Sequence, residues 1–148
     1  MAVEVVRDYS DELLEAMNKL IPQLSSSTPQ RSAEFVQDFL AQPSVFLFVY
    51  RPDSADENGE TPILGMLSLA TFDIPTGRRA WIEDVVVDEA ARGQGAGQKL
   101  VEAAVEYAQE IGSKSVDLTS RPTREAANRL YRRAGFGLRE TNVYRYED

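Results

Sequence analysis

Two periods alternate along the chain, and they divide it into strands and helices. Val3-Glu4-Val5-Val6-Arg7 reads as a short first strand. Ser10 follows as an N-cap, with Asp11 and Glu12 in the first turn and Leu13, Leu14, Met17 and Leu20 on one apolar face. Pro22 is expected to end that helix, and residues 22–30 to form a loop. A second helix is expected from about Ser32 to Leu40, burying Phe35, Val36, Phe39 and Leu40. Val45 to Tyr50 is an unbroken run of β-branched and aromatic residues, the pattern of a buried strand. Asn58-Gly59 marks a hairpin turn, and Ile63 to Phe72 reads as the return strand, with Gly65 as a candidate bulge. After Pro75-Thr76-Gly77 comes a strand over Trp81 to Val87.

Beyond Val87 the pattern changes. A helix is expected from about Gly97 to Ile111, closed by Gly112, then a strand over Ser115 to Thr119. A further helix from about Thr123 to Arg133 ends at Gly135, and a last strand covers about Leu138 to Tyr146. Strand–helix–strand from Trp81 to Thr119 predicts a parallel crossover. No repeat or linker interrupts the 148 residues, a length that suits one α/β (α+β) domain. The sheet is expected to be mixed, antiparallel in front and parallel behind, with helices on both faces.

Composition narrows the chemistry. The chain has no cysteine and no histidine. Disulfides, thiolate nucleophiles and His-based triads are therefore excluded, and no metal site is expected. Acid–base work near neutral pH must fall to carboxylates, tyrosine, lysine or water. No apolar run approaches the roughly 20 residues of a membrane span, and the N-terminus lacks a signal-peptide pattern. The expectation is a cytoplasmic protein with no membrane partner. A net charge of −8 argues against nucleic acid as a partner. The charge is uneven: residues 1–90 hold 16 acids and 6 bases, residues 91–148 hold 8 acids and 10 bases. The second part suits an anionic ligand, and the first attracts a cationic one or is simply a solvated acidic surface.

The segment with most chemical content is Trp81 to Leu100. A hydrophobic strand runs through a short turn into Arg92-Gly93-Gln94-Gly95-Ala96-Gly97 and then directly into a helix. Glycines let the backbone bend toward a ligand, and free N–H groups at the helix start favour an anion. A Walker A loop is excluded, because Gly97 is followed by Gln98 and Lys99; the G-x-G-x-x-G dinucleotide spacing fails in both registers. Tight strand–helix packing alone would also account for the glycines.

Arg92-x-x-Gly95-x-Gly97 resembles the Arg/Gln-x-x-Gly-x-Gly/Ala signature of the GNAT superfamily of N-acetyltransferases. Tyr131-Arg132-Arg133-Ala134-Gly135-Phe136 matches that family's Tyr-x-x-x-Gly-Phe pattern, and the order of elements fits across essentially the whole chain. The resemblance implies the acyl-CoA N-acyltransferase fold, with a mixed central sheet of about six to seven strands. It implies acetyl-CoA as cosubstrate and a primary amine, either a small cationic metabolite or a protein amine, as acceptor. The N–H groups of Gly93, Gln94, Gly95, Ala96, Gly97 and Gln98, next to Arg92, would hold the CoA pyrophosphate. Val85, Val86 and Val87 would lie along the pantetheine and the acetyl group.

The same resemblance makes Tyr131 the candidate general acid for the departing thiolate; the competing reading is a tyrosine of the core. Glu83, in Ile82-Glu83-Asp84, becomes the candidate base, acting through water, or else a residue that orients a cationic substrate. Neighbouring strand residues point to opposite faces, so Glu83 and Asp84 cannot work as a pair without a local bulge. Many family members carry Asn seven residues before the tyrosine, where this chain has Arg124; Asn128, one turn before Tyr131, is the candidate to take over that pantetheine contact. The acceptor is expected to meet residues 20–32, Phe72 to Arg79 and the last strand. With so little chain beyond Tyr146, a seventh strand is expected to be short or absent, and a homodimer is considered. A catalytically silent CoA-binding sensor or partner subunit is the alternative reading, and a nucleotide-binding interaction domain a third.

Overall fold

The computed structural model describes residues 2–148. Five strands form one sheet in the order β1-β2-β3-β4-β5: β1 (Val3–Val6), β2 (Val45–Tyr50), β3 (Gly65–Ile74), β4 (Gly77–Val87) and β5 (Val116–Asp117). The first four pair antiparallel, and β4 pairs with β5 parallel. The four helices are α1 (Asp11–Leu24), α2 (Ala33–Leu40), α3 (Ala96–Glu110) and α4 (Glu125–Arg133).

The two-residue period of β2 separates two cores. Phe46, Phe48 and Tyr50 pack with Leu100, Val101, Ala104 and Ala108 of α3 on one face. Leu47 and Val49 pack with Leu13, Met17 and Leu20 of α1 and Val36 and Leu40 of α2 on the other. Helices thus cover both faces, as the alternation predicts.

Four expectations need correction. The helix α1 runs through Pro22 to Leu24. A proline costs one backbone hydrogen bond and crowds the preceding turn. Here Met17 and Leu20 before it and Ile21 and Leu24 beside it all pack on the α1–α2 side, so apolar burial carries the helix past the break. Gly65 is not a bulge: it pairs in register with Tyr50 and Val87. A Cβ there would lie 3.1 Å from Leu100 Cδ1 and 3.3 Å from the Val86 carbonyl oxygen, so the position serves close approach of α3 to the sheet. The irregularity lies further along, between Met66 and Ser68. Finally, residues 137–148 form no strand, and the sheet has five strands rather than six or seven. Leu138, Val143, Tyr144 and Tyr146 are 74–98% exposed. Their apolar and aromatic side chains suit a strand, but a strand also needs a hydrogen-bonded neighbour. The Arg139 guanidinium lies 3.9 Å from Asp117 of β5.

Candidate functional site

The middle of β4 is built differently from its ends. Ser68 pairs with Glu83 and Met66 pairs with Val86, so Asp84 and Val85 together face the single residue Leu67. This is a β-bulge. Asp84 takes φ +49, the one non-glycine residue with positive φ among the described residues. The bulge changes which carboxylates share a face. Glu83 lies directly across from Ser68 and shares its face, and Ser68 lines a cavity. Asp84, one residue on, lines that same cavity. The pairing of Glu83 and Asp84 that plain alternation forbids is therefore permitted here. Residue types alone give no sign of it, because a bulge depends on the register of the facing strand.

The cavity has a volume of about 490 Å³ and lies between α1, α2 and the sheet. Met17, Ile21, Leu24, Phe39, Leu47 and Met66 supply apolar walls, and Ser25, Thr28 and Ser68 supply hydroxyls. Arg31 and Phe35 complete the rim, with the guanidinium carbon 4.2 Å from the ring centroid. Phe35, expected in the core, is 43% exposed for this reason. Of the segments expected around the acceptor, residues 20–32 do line the cavity; Phe72 to Arg79 and residues 138–146 do not. Phe72 projects from the sheet instead, 46% exposed.

On the other side of β4 the strand loses its neighbour. Parallel pairing with β5 covers only Ala80 with Val116 and Trp81 with Asp117. From Ile82 to Val87 the edge of β4 that faces β5 has no strand beside it among the described residues. Val85 and Val87 pack toward α3, in the same core cluster that Leu130 and Tyr131 of α4 join. Val86 turns the other way, into the α1–α2 core.

At the end of β4, Asp88 is buried and organises the turn that leads to the glycines. Its carboxylate accepts from the Ala90 N–H at 2.9 Å and lies 3.3 Å from Lys19 Nζ of α1. Its own N–H donates to the Leu64 carbonyl at 2.8 Å. The Ala90 N–H, and after it the Lys19 ammonium, hold this carboxyl below its ordinary range against the effect of burial. A folded-state pKa below the unfolded value means that the stabilisation is present above the unfolded pKa, near 3.9, and fades as pH falls through the folded one. Asp88→Ala is therefore expected to cost about 1–2 kcal/mol at neutral pH. In thermal melts recorded against pH, the gap from the parent protein should narrow below about pH 4.

The glycine turn contains two residues in left-handed geometry. Gly93 and Gly95 have φ +87 and +74, and a Cβ at either would meet nothing within 4 Å. Their role is conformational. Gly95 is the N-cap of α3 and supplies no side-chain cap. The Gln94 N–H donates to the Ala91 carbonyl at 3.3 Å, whereas those of Gly93, Gly95, Ala96, Gly97 and Gln98 meet no protein acceptor among the described residues. The Gln94 side chain is held from β2, where the Tyr50 hydroxyl donates to its Oε1 at 3.3 Å. Gly97 differs from the other two: a Cβ there would lie 2.7 Å from Leu130 Cδ1, so this glycine lets α4 approach the start of α3. Arg92 is exposed beside the turn.

Tyr131 is half-buried on α4, its ring centroid 6.1 Å from that of Phe136. The Phe136 N–H donates to the Tyr131 carbonyl at 2.9 Å, which fixes the Tyr-x-x-x-Gly-Phe corner around Gly135 at φ +99. Burial raises the phenol pKa, opposed by the charge of nearby Arg124. The hydroxyl has no protein hydrogen-bond partner among the described residues. Arg124 is the exposed N-cap of α4. Asn128 donates one amide N–H to the Arg121 carbonyl at 3.0 Å, leaving its Oδ1 and the other N–H free for another contact.

A sequence model of the acetyltransferase (GNAT) family matches residues 10–136. A probable glucosamine 6-phosphate N-acetyltransferase of Oryza sativa subsp. japonica is 43% identical over 60 residues, 40% of this chain and 34% of that protein. The chain thus matches about a third of that relative's length. Among solved structures, an acetyltransferase described as putative from Agrobacterium tumefaciens aligns with TM-score 0.81 and 25% identity over 99% of this chain and all of that one. An aminoglycoside acetyltransferase from an uncultured soil metagenomic sample, solved with trehalose, aligns with TM-score 0.82 and 21% identity over 99% of this chain and 94% of that one.

Proposed function

The chain belongs to the acetyltransferase (GNAT) family, and we propose that it transfers the acetyl group of acetyl-CoA directly to a primary amine within a ternary complex. One observation carries the reading: the uncovered edge of β4 runs straight into a cradle of unpartnered N–H groups at the start of α3. An extended ligand with an anionic end fits that path. Its pyrophosphate would meet the N–H groups of Gly93 and Gly95 through Gln98, helped by the positive end of the helix dipole and by Arg92. Its pantetheine would pair with the backbone of Val85 to Val87 as an added strand. The bulge then receives the thioester, whose carbonyl oxygen would accept a backbone N–H.

The acceptor would enter from the opposite face, through the cavity on which Asp84 and Ser68 border. An ammonium is attracted by Glu83 and Asp84, and Glu83 takes its proton through water or holds it in place. The free amine attacks the carbonyl carbon, the nitrogen of the tetrahedral centre gives up a proton to water, and the centre collapses as the C–S bond breaks. Tyr131 gives its proton to the thiolate and is reprotonated from solvent. Arg124 and Asn128 would flank the pantetheine. Holding both reactants at the bulge supplies much of the acceleration.

Thiol release from acetyl-CoA, followed over a panel of amines, tests this reading directly. Turnover with at least one amine is expected, and Glu83→Gln should lower kcat/KM by about tenfold or more. Stabilisation by acetyl-CoA with no turnover of any amine would favour a catalytically silent CoA-binding module instead. The exposed apolar residues 138–146, beside the free outer edge of β5, support a homodimer built on that segment. The mass in solution by light scattering is expected to be twice that of the chain and to halve when residues 138–148 are removed.

A further inference from the structure

We propose that the acceptor is an amine with an apolar body and an anionic far end, a carboxylate or a phosphate, which Arg31 binds. This rests on the acetyltransferase reading and names the substrate class of its cavity. Residues 1–90 hold six bases. Lys19 faces Asp88, Arg51 faces Glu4 and Glu12, and Arg78 faces Asp73. Arg7 donates to the carbonyls of Val45 and Pro43, and Arg79 donates to the Thr76 hydroxyl. The Arg31 guanidinium alone has neither a carboxylate nor any protein acceptor among the described residues. In a segment with an excess of acids, an arginine left without a counter-charge beside a cavity has its partner elsewhere.

Arg31 is also fixed in place. Its backbone N–H donates to Asn18 Oδ1 at 2.8 Å, and Asn18 Nδ2 donates to its carbonyl at 3.0 Å, so α1 grips the residue from both sides of the peptide. Phe35 supports the flat face of the guanidinium. Stacking of this kind leaves the edge donors free for a planar, two-pronged contact with an oxyanion. The remaining walls are largely apolar, and the volume suits a small molecule. With Asp84 on the same cavity, the lining carries one negative and one positive side chain among mostly apolar ones. Polyamines and aminoglycosides fit poorly, because each would set further cations against Arg31 and the apolar wall.

The test uses the full chain with acetyl-CoA and three matched amines: 4-(2-aminoethyl)benzoate, tyramine phosphate and uncharged-ended phenethylamine, with spermidine as the polycation. The parent protein should use at least one anionic amine with a kcat/KM ten or more times that for phenethylamine. Whichever of the two dominates distinguishes carboxylate from phosphate. In Arg31→Gln that preference ratio should fall at least tenfold, through KM, and Arg31→Lys should recover part of it. A preference for phenethylamine or spermidine, or equal losses for all amines in Arg31→Gln, would overturn the proposal while leaving the acetyltransferase reading intact. If no amine turns over, calorimetry of the same amines with CoA present decides: no binding dependent on Arg31 overturns the proposal, and failure to bind acetyl-CoA overturns the acetyltransferase reading.

Discussion

Tyr131→Phe is expected to lower kcat about a hundredfold, a loss near 2.7 kcal/mol in the transition state. The KM for acetyl-CoA should change little. Phenylalanine fills the same space on α4 and keeps the ring contact with Phe136, so the variant should fold as the parent does. What it loses is a proton to give. Burial holds the phenol above its ordinary pKa, so the acid form is the resting form at neutral pH. The parent kcat should therefore rise with pH as the amine loses its proton, and any decline from Tyr131 should come above the ordinary range of a phenol. In the variant, the departing thiolate must find its proton in water. Its profile should lie below the parent's across the range. Overlapping profiles of kcat against pH for the two proteins would sink the assignment and return Tyr131 to the core.

The second large effect is expected at Gly95. This residue caps α3 in the left-handed region, at φ +74 and ψ 17, with open space where a Cβ would stand. A side chain there clashes with its own backbone rather than with a neighbour. Left-handed geometry costs an L-residue roughly 1–2 kcal/mol, and more if it is β-branched. In Gly95→Val the turn is expected to relax toward negative φ, and the N–H groups of Gly93 to Gln98 then cease to converge. The KM for acetyl-CoA should rise by about ten- to a hundredfold, the loss of one or two charge-assisted hydrogen bonds. Asparagine tolerates the left-handed region, so Gly95→Asn should retain most of the affinity. Steady-state kinetics on the three proteins check this. Equal KM values for valine and glycine would show that the cradle does not bind the donor.

Most of the elements could be read from the chain because they rest on local rules. Residues 46, 48 and 50 face α3 and residues 47 and 49 face α1, as a period of two requires. Ser10 and Ser32 cap α1 and α2 through side-chain oxygens that accept from Leu13 and Phe35. Gly112 and Gly135 follow α3 and α4 with φ +92 and +99. Each of these is decided within a few residues, by steric freedom or by a hydrogen bond close in sequence. The glycine turn belongs with them, since its left-handed glycines lie in one short stretch. The turn was legible for that reason.

The acceptor side was not, because its features depend on what lies across the sheet. Asp84 joins Glu83 on the cavity face only because Leu67 on β3 faces two residues of β4. Arg31 is distinctive only because every other base of that half of the chain has found a protein partner. The lack of a side chain at Gly97 also lets Leu130 approach, a contact between residues 33 positions apart that the turn's own sequence does not show. Leu138 to Tyr146 has the β-branched and aromatic residues of a strand, yet no neighbour among the described residues pairs with it. Local geometry and period are enough to read the order of elements, the two-faced core and the glycine turn from the chain. The bulge, the cavity and the charged side chains that line it emerge only on folding, because register and charge compensation are relations between distant segments.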